Sequence, residues 1–147
     1  MLTTGDAVAA IFRLDDGRFL MQLRDERPDI WFPGCWGCFG GAVDEGETPE
    51  QALRRELLEE LEFRLGHFEY VMRFDFEVAR MGLTPCYRTY FQVPITRPEL
   101  GALVLHEGQA MAPMSIAELA AARVTPYDAF ALKLLVMSRS AITLRAP

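Results

Sequence analysis

Apolar residues follow two rhythms along this chain, and each rhythm predicts a different kind of element. Residues 6–14 (DAVAAIFRL) are almost unbroken in apolar character and short, the pattern of a buried strand. Asp15-Asp16-Gly17 supplies turn chemistry, and Phe19 to Leu23 (FLMQL) returns, so the chain is expected to open with a hairpin. From 68 to 78 the period is two. Phe68, Tyr70, Met72, Phe74, Phe76 and Val78 share one side, and Glu69, Arg73, Asp75 and Glu77 share the other. After a turn at 81–85, Cys86 to Ile95 runs back beside it, and 102–105 (ALVL) suggests a further short strand. The helical rhythm marks three segments. One begins at Thr48, one at Ser115 with Glu118 three residues on, and one at Pro126, where Phe130, Leu134 and Met137 recur beside Leu135 as an expected core face. Strands and helices interleave without repeat or linker, which predicts one α/β unit over 1–147. The long hairpin leaves an unpaired edge on which a second copy could add, so a homodimer is an open expectation.

The segment after Thr48 carries the most chemistry. Thr48 and Gln51 have the spacing of a capping box, and Pro49 falls at the first helical position, where its missing N–H costs nothing. Leu53, Leu57 and Leu61 then form an apolar stripe directly beside Glu56, Glu59 and Glu60. Like charges three and four apart cost a helix a few tenths of a kcal/mol per pair. The simplest explanation is a solvated acidic face. The alternative is a divalent cation, since Mg²⁺ or Mn²⁺ takes hard oxygen ligands and turns the repulsion into attraction.

The wider pattern favours the cation. Gly41, Glu47, Arg55-Glu56, Leu57, Glu59-Glu60 and Phe63 stand at the spacing of the Nudix box, so the chain resembles the Nudix hydrolases, MutT-like members among them. One position departs: the box has a glycine where this chain has Glu62, which bears on how the helix ends. The resemblance implies a Nudix-type α/β/α sandwich with a mixed central sheet. It also implies hydrolysis of the phosphoanhydride of a nucleoside diphosphate linked to another group, a nucleoside triphosphate or a nucleotide sugar, with Mg²⁺ (or Mn²⁺) as cofactor. Glu56 and Glu60 are then the first candidates for metal ligands and Glu59 the third, as a ligand or by polarising a water. The Gly40 or Gly41 carbonyl could add to the shell, because glycine lets backbone approach closely. Glu47 and Arg55 are expected to support the ligands. Glu107, in Glu107-Gly108-Gln109, resembles the glutamate outside the box that binds metal or serves as base, so Glu56, Glu59 and Glu107 are the catalytic candidates. In the same comparison Tyr127 falls near an asparagine that reads oxidised guanine, and Phe39 replaces a proline before the paired glycines. Both weaken an 8-oxo-dGTP assignment, and both join Arg24 and Trp31 as candidate substrate contacts. A Nudix-like domain that binds a nucleotide for regulation without cleaving it is the alternative.

Composition narrows the partners. The net charge of −6 speaks against a protein that lives on duplex nucleic acid, though not against one nucleotide held through a metal. No apolar run approaches the roughly 20 residues that span a bilayer, and no signal peptide is visible, so the expected place is the cytoplasm and no membrane partner is expected. The stretch 25–37 (DERPDIWFPGCWG) is dense in proline, glycine and aromatics and reads as a loop whose rings either cover a base or close the core. Cys35 and Cys38 lack further ligands at zinc spacing and read as small apolar fillers, and neither His67 nor His106 is given a role.

Overall fold

The computed structural model describes residues 2–143; residue 1 and residues 144–147 of the expected unit lie outside it. The opening hairpin is β1 (Ala7–Arg13) and β2 (Phe19–Leu23), antiparallel through Phe12–Leu20 and Arg13–Phe19. Beyond that point the two strands diverge. The segment 36–42 fills the gap, first as a short strand β3 (Trp36–Gly37) on β2, then bridging to β1 at Phe39 and Ala42. A purely irregular 25–37 is thereby corrected at its end: Trp36 and Gly37 are sheet residues. On its other side β1 pairs in parallel with β5 (Cys86–Pro94), and β5 pairs antiparallel with β4 (Glu69–Phe76). β6 (Ala110–Met114) closes the far side of β2. The sheet is therefore mixed.

Both faces of β1 are covered, which is why it reads as a continuous apolar run. Val8, Ala10 and Phe12 join Leu53, Leu57 and Leu61 of α1 (Pro49–Leu61) in one core. Ala9 and Ile11 join Leu119 of α3 (Ile116–Ala121) and Ala131, Leu132 and Leu135 of α4 (Pro126–Thr143) in the other. Helices thus lie on both sides of the sheet, an α/β/α sandwich. No helix among the described residues is long and apolar enough to cross a membrane.

Three local expectations need correction. Residues 102–105 are not a strand. Thr96 and Glu99 form a capping box that starts α2 (Arg97–Ala102), and the chain after Leu103 is irregular. The alternation of β4 is broken by a bulge at Val71, across which Tyr70 pairs with Phe91 but Met72 with Tyr90. The extra residue reverses the phase. Phe68 and Tyr70 pack on Phe91 in the α1 layer, whereas Phe74 packs on Tyr90 and Phe130 in the other. Finally, α4 turns Ala131, Leu132 and Leu135 inward and leaves Phe130 and Met137 more than half exposed.

Candidate active site

Local sequence positions α1. The Thr48 side chain accepts from the Gln51 N–H and the Gln51 side chain answers to the Thr48 N–H, so the helix starts where the spacing puts it. It ends at Leu61. Glu62 adopts the left-handed conformation at φ 54°, and the N–H groups of Glu62 and Phe63 close onto Leu58 and Leu57 oxygens. The glycine missing at this position does not prolong the helix; its conformation is kept by a glutamate.

The buried leucine stripe sets the rotation of α1, and that rotation carries Glu56 and Glu60 to the segment Gly40-Gly41. Glu60 is only 4% exposed, and its Oε2 accepts the Gly40 N–H at 3.1 Å, with Gln22 as a further donor. Burial pushes its carboxyl up to about 8, the Gly40 hydrogen bond opposes the rise, and the Glu107 and Glu56 charges add to it. Glu56 is half-buried and raised, first by burial, against the pull of Arg55. Gly41 explains how close these elements come: a Cβ there would lie 2.5 Å from the Glu56 carboxyl carbon. We therefore expect Gly41→Ala to displace the Glu56 carboxylate and lower kcat at least about tenfold, with an unchanged circular dichroism spectrum; full activity in that variant would remove the close approach from the mechanism.

Arg55 braces Glu56 and the segments beside it. Its Nε and Nη2 donate to both oxygens of Glu47, at 3.0 and 2.8 Å, its Nη1 donates to Glu56 at 2.6 Å, and its Nη2 reaches the Ala42 carbonyl at 2.9 Å. The hydrogen bond from Arg55 holds the Glu47 carboxyl below its usual range. One guanidinium thus ties the loop before α1, the helix itself and the end of the glycine segment together.

The expected cluster is gathered only in part. Glu59 points outward, with 63% of its side chain exposed and Arg55 Nη1 at 3.8 Å. Among the described residues no three His, Cys, Asp or Glu side chains are drawn close enough to hold a metal ion. Each carboxylate is turned instead to its nearest donor, Glu56 to Arg55 and Glu60 to Gly40 and Gln22. The Gly41 carbonyl accepts the Val8 N–H at 2.9 Å in the sheet, so the backbone oxygen not engaged with β1 is that of Gly40. Glu107 is exposed, on the loop between α2 and β6, and its charge acts on both Glu56 and Glu60. Gln22, which sequence reasoning passed over as one more strand residue, bonds Glu60 and also donates to the Glu107 carbonyl at 3.0 Å.

The expected substrate contacts separate. Arg24 Nε donates to the Trp31 carbonyl at 3.1 Å, which ties the 25–35 loop to β2, and Trp31 Nε1 donates to the Thr3 carbonyl at 2.8 Å. Tyr127 packs edge-on against Phe32, with the Arg88 guanidinium 4.8 Å from its ring centre. Phe39 is a correction: it is wholly buried and packs on Phe12, so its ring serves the core and offers no face to a substrate. Cys35 and Cys38 are buried free thiols. Beside them lies a cluster with no sequence signal: Asp128, 1% exposed, accepts from the Cys38 N–H, the Tyr90 hydroxyl and Arg88 Nε.

Comparison with known proteins gives concordant results. A family model described as the NUDIX domain matches residues 3–144. An 8-oxo-dGTP diphosphatase of Haemophilus influenzae is 42% identical over 73 residues, 47% of this chain and 49% of that protein. The nucleoside triphosphatase NudI of Escherichia coli is 48% identical over 48 residues, 32% of this chain and 33% of that protein. The chain thus matches half or less of the length of these relatives. Among solved structures, the E. coli ORF135 protein is 31% identical with a TM-score of 0.73, covering 95% of this chain and 94% of that one.

Proposed function

Because the chain belongs to the NUDIX domain family, we propose that it is a divalent-metal-dependent pyrophosphohydrolase whose substrates are nucleoside triphosphates or related nucleoside diphosphate derivatives. One observation carries this reading. Glu60 is a buried carboxyl group bonded by neutral donors within the field of Glu56 and Glu107, and a group so placed ionises at neutral pH only beside a compensating cation. The donor set is all oxygen (Glu56, Glu60, Glu107 and the Gly40 carbonyl), which fits Mg²⁺ or Mn²⁺ rather than softer ions. Such an ion would neutralise phosphate charge and lower the pKa of a bound water.

The chain's own residues do the rest. Arg55 holds Glu56 in register and keeps Glu47 ionised at the rim. Gly41 lets backbone and carboxylate meet. Glu59, exposed beside Arg55, is free to swing toward a substrate water, and Glu107 faces the same carboxylates from the opposite loop. Trp31, Tyr127 and Arg24 belong to the elements we assign to the nucleoside end. The names of the relatives, an 8-oxo-dGTP diphosphatase and a nucleoside triphosphatase, support nucleoside triphosphates as the first class to test.

The test is a panel of nucleoside triphosphates, nucleotide sugars and dinucleoside polyphosphates with Mg²⁺, scored by released monophosphate and pyrophosphate. Turnover of a triphosphate to its monophosphate is expected, and chelation should stop it. Saturable nucleotide binding with no product would instead favour a regulatory domain that holds nucleotide without cleaving it.

A further inference from the structure

The loop 103–109 meets the last turn of α1 in an unusual way. Glu62 holds a left-handed backbone conformation that side chains rarely adopt, at φ 54°. Its carboxylate is not idle: Oε1 lies 2.8 Å from His106 Nε2, 44 residues along the chain. The same loop is stitched to the helix end through its backbone. The His106 N–H donates to the Glu60 carbonyl at 2.9 Å and the Val104 N–H to the Leu61 carbonyl at 3.1 Å. Past Glu107 the loop is fastened to the end of β2. Gln22 Nε2 donates to the Glu107 carbonyl, the Gln109 N–H to the Leu23 carbonyl and Gln109 Nε2 to the Arg24 carbonyl. Gly108, at φ 88°, lies where a Cβ would be 2.8 Å from both Gln22 Cγ and the Leu23 oxygen. Glu107 is therefore the one acidic residue of a span pinned at both ends, one end to the helix that carries Glu56 and Glu60.

We propose that Glu62 and His106 form a latch across the end of α1, and that these two positioning residues hold the Glu107 loop over the Glu56 and Glu60 carboxylates. The backbone pairs alone fix the loop's height on the helix. Backbone hydrogen bonds at 104 and 106 hold one end of the loop to the helix, and the bonds to Gln22, Leu23 and Arg24 hold the other to β2. The Glu62–His106 bond adds a side-chain tie to the helix at the residue next to Glu107. The latch needs only a proton on Nε2, which both the neutral Nε2–H tautomer and the imidazolium supply. Its presence also gives a physical reason for a glutamate at a position where glycine would be conformationally easier: the strained residue is kept because its side chain has a task.

The inference rests on the reading that Glu107 serves the hydrolytic site, so its test separates the two. His106→Ala, Glu62→Gly, Glu62→Gln and Glu107→Gln are compared on the best substrate of the panel, together with amide hydrogen exchange at 104–109. Glu62→Gly removes the carboxylate while relieving the left-handed strain, so it should keep or raise the thermal midpoint; a loss of activity there is not a loss of folding. His106→Ala and Glu62→Gly are expected to lower kcat about twofold to fivefold, the scale of an exposed ion pair, with KM unchanged, and to speed exchange at 106 and 107. Glu62→Gln keeps an acceptor for His106 and should retain most of the activity. His106→Ala should add nothing on top of Glu107→Gln, because the latch acts only through that side chain. Full kcat in both His106→Ala and Glu62→Gly, with Glu107→Gln impaired, overturns the latch and leaves the role of Glu107 standing. Full kcat in Glu107→Gln overturns that role instead. In that case, or if the panel shows no turnover, exchange decides: protection at 106 and 107 equal in wild type and His106→Ala means there is no latch.

Discussion

Glu60→Gln is expected to abolish turnover and at the same time to make the metal-free protein harder to unfold at alkaline pH. The two effects have one cause. Glu60 is 4% exposed and has the Gly40 N–H and Gln22 for partners, neither of them a cation. Its carboxyl, ordinarily near 4.5, is carried up to about 8 chiefly by burial. In the unfolded chain the proton is gone above the ordinary value, while the folded protein keeps it to about 8. The folded state thus binds the extra proton between those two limits, and stability falls as pH rises through that window. Above pH 8 the folded protein carries the whole cost of the buried charge. Glutamine has the same shape, still accepts the Gly40 hydrogen bond and has no charge to bury.

The two melting curves should therefore lie close together near pH 5 and separate toward pH 9, the variant melting higher by about 2–4 °C for each kcal/mol of relieved burial. Added Mg²⁺ should raise the wild-type midpoint by more than the variant's, since the variant has lost one of the charged groups that would bind the ion. The kcat loss should reach about a thousandfold, the scale of removing preorganised charge from a polar site. A variant that melts lower than wild type at pH 9 in chelator would show that Glu60 is a stabilising structural carboxylate. That outcome would withdraw it from the site. A buried ligand that weakens the fold it sits in is the expected trade of stability for function.

The helix that bears Glu60 could be read from the chain because everything that fixes it is local. Its cap, its first proline, its leucine stripe and its acidic stripe all lie within 48–61, and their geometry follows from one periodicity. The apolar run of β1 was equally legible, since covering both faces of a strand leaves no polar position to confuse the pattern. What failed was set by distant contacts. Val71 reads as one more apolar residue of β4 and gives no sign that a bulge there sends Tyr70 and Phe74 to opposite layers. The strand β6 was missed because Pro113 interrupts it, and an outer strand tolerates proline where an inner one does not. ALVL looked like a strand because the capping box that starts α2 lies six residues upstream, at Thr96.

The site divides in the same way. Arg55, Glu47 and Glu56 meet as spacing within one helix and its lead-in loop would place them. Gln22 has no such spacing, for it acquires its place only when the Glu107 loop arrives from 85 residues away. Glu59 shares the helix face on paper, yet it lies at the margin of that face and turns to solvent, beside Arg55. Periodicity gives direction around a helix; it does not say how far the neighbouring loop extends over it.

Asp128→Ala is expected to be the most damaging single change to stability outside the apolar core. Asp128 sits in the first turn of α4 and ties that helix to β5 and to the segment that continues into Gly40-Gly41. Its Oδ2 accepts the Cys38 N–H at 2.8 Å, and its Oδ1 accepts the Tyr90 hydroxyl at 2.8 Å and Arg88 Nε at 3.3 Å. Truncation leaves the Arg88 guanidinium, 13% exposed, without its anion, and the Cys38 N–H and Tyr90 hydroxyl without an acceptor. Breaking a buried pair from one side costs about 3–5 kcal/mol, a large share of the roughly 5–15 kcal/mol that holds an ordinary domain together. The acid's favourable place near a helix N-terminus adds only about 0.3–1 kcal/mol, so the two explanations differ in size. They also differ in coupling. If the stranded guanidinium is the main penalty, Asp128→Ala combined with Arg88→Met should recover much of the loss, because the charge left behind has been removed as well. If the helix terminus is the main cause, the second substitution should recover nothing. Urea midpoints of the two single variants and the double decide between them. A loss below about 1 kcal/mol for Asp128→Ala, with no coupling to Arg88, would mean that the segment leading to the glycines is held by backbone pairing alone.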